Sequence, residues 1–80
     1  MARAIKKAPR SIPLKKIGEI LGLYRYQHDL FYLQLAEKTG LSGPTLNKAE
    51  LGQKITFETL YALLEFYNVH PLDFWELVYK

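Results

Sequence analysis

Leu35-Ala36-Glu37-Lys38-Thr39-Gly40-Leu41-Ser42, followed after Gly43 and Pro44 by Thr45-Leu46-Asn47-Lys48-Ala49-Glu50-Leu51-Gly52, is the stretch that decides the fold of this 80-residue chain. It predicts two short helices, at 31–39 and 43–51. The segment from Leu30 to Thr39 is rich in helix formers and closes on Gly40, a residue suited to a left-handed helix end. Ser42 is a good N-cap, Pro44 falls in a first turn where its missing N–H costs little, and Gly52 ends the second helix. Helices joined by so short a turn meet at a steep angle, and small residues are needed where they cross. Ala36 and Ala49 supply them, while Leu35, Leu41 and Leu46 point inward.

Working outward, Leu14, Ile17, Leu21 and Tyr24 recur at helical spacing, with Ile20 and Leu23 widening the stripe, so a helix is expected over 14–27. Thr56 caps a helix over 57–67 that carries Phe57, Leu60, Tyr61 and Leu64 on one face and stops at Asn68. His70 sits at the cap position before Pro71, which opens a last helix over 71–79. No alternating run or Asn-Gly hairpin signal competes. The expectation is an all-α fold of five short helices, with residues 14–80 as one domain.

Composition narrows the function. With 49% hydrophobic residues, 24% charged and no cysteine, the chain reads as a small domain stabilised by packing rather than by disulfides. No apolar run approaches a membrane span, and a cytoplasmic protein without membrane contact is expected. The charge is uneven. Residues 1–16 hold Arg3, Lys6, Lys7, Arg10, Lys15 and Lys16 and no acid, giving +6, whereas residues 17–80 hold five bases and eight acids, giving −3. Residues 1–13 therefore read as a basic, flexible arm, of the kind that follows a phosphate backbone or enters a minor groove. Enzymatic chemistry has little to stand on. His28 and His70 are far apart and lack metal-ligand company, and no Gly-rich loop precedes a helix, so neither a cofactor nor a metal is expected.

The quoted stretch, with Glu50-Leu51-Gly52 closing its second helix and two further helices in register after it, resembles the helix-turn-helix family of the Cro and phage-repressor type. The likeness covers about residues 16–78. It implies a lambda-repressor-like, five-helix DNA-binding domain acting as a sequence-specific transcriptional regulator of the repressor type, with its third helix in the major groove of double-stranded DNA. The base-facing positions it implies are Gly43, Pro44, Thr45, Asn47 and Lys48; Lys48 can donate to guanine, and Asn47 can pair with adenine. Phosphate contacts fall on Tyr32, Ser42 and Lys54, and on Arg3, Lys6, Lys7 and Arg10 of the arm. The family further implies a buried ion pair, here Arg25 with Glu50, whose loss is expected to cost roughly 3–5 kcal/mol. It also implies a homodimer, for which Phe74, Val78 and Tyr79 of the last helix are the interface candidates, with Trp75 as a core plug.

Two departures from the family pattern favour a different class of function. Gly43 and Pro44 bring no polar side chain to positions that usually read bases. Phe31, Tyr32 and Leu33 stand where a Ser or Thr cap and a phosphate-binding Gln are usual. If exposed, they form an aromatic patch that suits a protein partner, so the alternative is a protein-protein interaction module on the same fold. If instead Phe31 and Leu33 fold back onto the first helix, the patch disappears.

Overall fold

Pro13, which has no N–H to leave unsatisfied, immediately precedes the first of five helices in the computed structural model, which describes residues 12–80. In chain order these are α1 (Leu14–Gln27), α2 (Tyr32–Thr39), α3 (Gly43–Glu50), α4 (Phe57–Phe66) and α5 (Pro71–Val78). No strand occurs among the described residues. The arm cations Arg3, Lys6, Lys7 and Arg10 lie outside them.

Capping accounts for where the helices start and stop. Ser42 and Thr56 accept the backbone N–H of Thr45 and Thr59 at 3.2 and 3.1 Å, and His70 Nδ1 accepts that of Leu72 at 3.1 Å. At α2 the cap residue is Phe31, whose side chain has no oxygen to offer; Gln34 Oε1 instead reaches back to the Phe31 N–H at 2.9 Å. Gly40 closes α2 in the left-handed conformation, at φ 80°. Two non-glycine residues share that region, Asp29 after α1 and Asn68 after α4, both polar types that tolerate it.

The core is built from Ile17, Ile20 and Leu21 of α1, Leu35 of α2, Leu46 and Ala49 of α3, Leu60, Leu63 and Leu64 of α4, Tyr67, and Phe74 and Val78 of α5. Several expected core positions are not in it. Leu23 is 52% exposed, and Phe57 and Tyr61 are exposed as well. The helical period is the reason: Leu60, Leu63, Leu64 and Tyr67 set the inward direction of α4, Tyr61 lies off it, and Phe57 is the first residue of the helix.

On α5 two of the expected interface residues turn to the core, and Trp75 packs against it. Phe74 is 0% exposed and Val78 is buried beside it, so these two plug the core and are unavailable as a subunit interface. Burying Phe74 contributes roughly 1.5–3 kcal/mol. Trp75 is only half-buried and donates its indole N–H to the Tyr61 hydroxyl at 3.1 Å; Tyr79 stacks on it at 6.0 Å between ring centroids. Of the three interface candidates, Tyr79 alone faces outward.

Candidate nucleic-acid interface

Two glycines let α1 and α3 approach at backbone distance, and this approach positions α3. A Cβ on Gly18 would lie 2.6 Å from the Glu50 carbonyl oxygen and 2.9 Å from that of Ala49. Gly52, at φ 82°, leaves the start of α1 equally little room: its Cβ would meet the Lys15 Cα at 2.8 Å. With Leu46 and Ala49 turned into the core, the opposite side of α3 is left to solvent, and Pro44, Asn47 and Lys48 are exposed there.

A polar knot fastens the far end of α3. Arg25 grips Glu50 with two parallel hydrogen bonds, Nε to Oε2 at 2.8 Å and Nη2 to Oε1 at 3.1 Å, and donates from Nη1 to the Leu30 carbonyl at 2.8 Å. α1, the turn before α2 and the end of α3 are thus tied through one guanidinium. The pair is sheltered rather than buried, with side-chain exposures of 22% for Arg25 and 11% for Glu50. The hydrogen bond to Glu50 is the main reason that the Arg25 pKa is raised above its usual value, outweighing the opposing effect of burial.

Tyr32 belongs to this knot. Its hydroxyl donates to Glu50 Oε1 at 3.1 Å, and the Arg25 guanidinium lies over its ring at 4.4 Å from the centroid. A hydroxyl has one hydrogen, and here Glu50 takes it, so a phosphate contact by Tyr32 would compete with Glu50 for that hydrogen. Partial burial, reinforced by the Glu50 charge, raises the Tyr32 pKa. No local sequence signal marks this role, because Tyr32 and Glu50 are 18 residues apart and on different helices. Tyr67 stands close to the same charges; burial first, and the Glu50 carboxylate second, push its phenol up to about 12. Its hydroxyl oxygen is buried without a partner among the described residues.

The remaining candidates divide clearly. Ser42 and Thr45 satisfy each other: Ser42 donates to Thr45 Oγ1 at 2.8 Å and accepts the Thr45 N–H, leaving the Thr45 hydroxyl hydrogen without an acceptor among the described residues. Lys54 is exposed beyond the Gly52 turn, with Gln53 beside it. Phe31 and Leu33 do not fold back onto α1; they are 75% and 73% exposed on either side of Tyr32. Tyr26, also exposed, shares with Phe31 a shallow cavity of about 130 Å³ at the end of α1. His28 packs its ring against Tyr67 at 5.0 Å between centroids and places Nδ1 2.9 Å from the Tyr24 carbonyl, as the last residue capping α1.

Comparison with known proteins adds one finding. A family model described as helix-turn-helix matches residues 23–74, from the second half of α1 into α5. No curated protein and no solved structure matches the chain. Among the described residues no helix is long and apolar enough to cross a membrane.

Proposed function

The chain belongs to the helix-turn-helix family of the Cro and phage-repressor type, a family of DNA-binding regulators, and from that premise we propose that it is a non-enzymatic, sequence-specific transcriptional regulator of the repressor type. In this reading α3 enters the major groove of double-stranded DNA. The observation that carries it is the outer face of α3, where Asn47 and Lys48 stand exposed on a helix held by backbone contact to α1 and by the Arg25–Glu50 pair. Asn47 reads adenine and Lys48 reads guanine O6 or N7, with the free Thr45 hydrogen beside them. Lys54 and the Ser42 turn lie toward the phosphates, and Arg3, Lys6, Lys7 and Arg10 add affinity that does not depend on sequence.

Two copies bind together in this reading, one on each half of a two-fold site. The surface for that pairing is the aromatic row of Phe57, Tyr61, Trp75 and Tyr79, continuous from α4 to α5, with exposed Leu72 beside it.

The test is selection from a randomised duplex pool at about 150 mM salt, near physiological ionic strength. The intact protein enriches one short site, and Lys48→Ala loses that enrichment. Retention that depends on the arm alone, with no enriched site, would overturn the reading. A second reading, a protein-binding module, is favoured by the exposure of Phe31 and Leu33 next to the nominal DNA face. Under it, changing both residues to Ser abolishes partner binding and leaves any DNA enrichment intact.

A further inference from the structure

Gly43 is the one glycine of the described residues for which the fold supplies no reason. Gly18 and Gly52 are pressed against backbone, Gly40 and Gly52 have positive φ, and a Cβ on Gly22 would stand 3.3 Å from Glu50 Oε1. At Gly43 a Cβ would meet nothing within 4 Å among the described residues, and the residue is the first of α3, in ordinary helical conformation. A missing side chain that nothing inside the molecule requires leaves the backbone free to come close to something outside it.

Pro44 follows and occupies the middle of the outer face. At about 100° per residue, Asn47 lies about 60° to one side of it and Lys48 about 40° to the other, while Leu51, also exposed, continues its line two turns on. The ridge of α3 is therefore apolar and its flanks are polar. A helix lying in a major groove presents its ridge to the base edges, where the C5-methyl of thymine is the apolar group.

Resting on the DNA-binding reading above, we infer that Gly43 and Pro44 form a methyl-reading tip: the bare Gly43 lets the start of α3 approach the base edges closely, and the Pro44 ring packs on a thymine methyl. Specificity at that position comes from a buried methyl rather than a hydrogen bond. The target thus carries a thymine at the step met by Pro44, with the bases read by Asn47 and Lys48 next to it.

The experiment uses the duplex that the intact protein enriches from the randomised pool, remade with each thymine replaced in turn by uracil, which differs only in lacking the methyl. Burial of one methyl-sized group predicts about a fourfold loss of affinity at one position. Pro44→Gly abolishes that loss while leaving discrimination at the Asn47 and Lys48 positions. Gly43→Ala keeps the thermal midpoint and weakens binding severalfold. An enriched duplex on which every uracil is tolerated overturns the methyl-reading tip and leaves the DNA-binding reading standing; absence of any enriched duplex overturns both.

Discussion

The Arg25 guanidinium touches three segments at once, so its removal does more than break an ion pair. Arg25→Ala strands the Glu50 carboxylate with Tyr32 as its remaining side-chain donor and frees the Leu30 carbonyl. Because the pair keeps some access to water, the loss is expected at about 2–3 kcal/mol in a denaturant titration, below the cost of stranding a fully buried charge. Tyr67 is the opposite case, since its buried hydroxyl has no partner to lose among the described residues. Tyr67→Phe is therefore expected to leave stability at pH 7 unchanged or raise it by up to about 1 kcal/mol. The pH dependence has a definite sign. The folded phenol holds its proton up to about 12, whereas an unfolded tyrosine releases it near 10, so this contribution is intact below about pH 10 and is lost as pH rises toward 12. Urea midpoints at pH 7 and pH 11 should draw closer together in Tyr67→Phe than in the parent. Of these residues, Arg25 and Glu50 were legible through the family resemblance. Tyr32 and Tyr67 were not, because their roles depend on which helices meet around Glu50.

A helix pair is held at the distance its smallest side chains allow, and the glycines of this chain give an ordered test of that statement. Gly18→Ala drives a methyl into backbone atoms of α3 that cannot rotate away, at an expected cost of roughly 3 kcal/mol. Gly40→Ala meets no atom but must hold φ at 80°, which costs about 1–2 kcal/mol. Gly43→Ala meets neither obstacle and should be neutral or slightly stabilising. Thermal midpoints of the three variants should fall in that order, and a Gly18→Ala midpoint equal to that of Gly43→Ala would show that α1 and α3 are not in backbone contact. The sequence disclosed the punctuating glycines, Gly40 and Gly52, because turn chemistry is local. Gly18 and Gly22 were silent, since their meaning lies in the helix packed against them. Periodicity likewise located every helix to within one residue at each end, yet could not say that Leu23 and Phe57 face outward, because α1 and α4 carry more apolar residues than their neighbours cover.

At the scale of the whole molecule, charge is divided against shape: the described residues carry seven bases and eight acids, so the surplus of positive charge lies in residues 1–11, with Arg3, Lys6, Lys7 and Arg10. Each phosphate neutralised on duplex DNA steepens the salt dependence of binding by about 0.9 in the log–log slope, so a protein beginning at Ile12 should show a slope shallower by up to about 4 while still preferring the same enriched duplex. Loss of that preference on truncation would move base reading from α3 to the arm. The proposed pairing of two copies falls on a different surface. The exposed Phe57, Tyr61, Leu72 and Tyr79 gather on the α4–α5 side, and a stable homodimer covers about 800 Å² on each partner, more than four side chains supply without the backbone around them. Pairing through this row should accordingly be weak in the free protein and be completed on DNA, where both copies are already held in place. Tyr79→Glu combined with Leu72→Glu is expected to leave the fold intact, since neither residue is buried, and to reduce cooperative binding to a two-fold site to independent binding of half-sites. Titrations of the full site and of one half-site distinguish these outcomes: equal midpoints for the double variant, with a lower full-site midpoint for the parent, place the interface on this row, and unchanged cooperativity in the variant removes it.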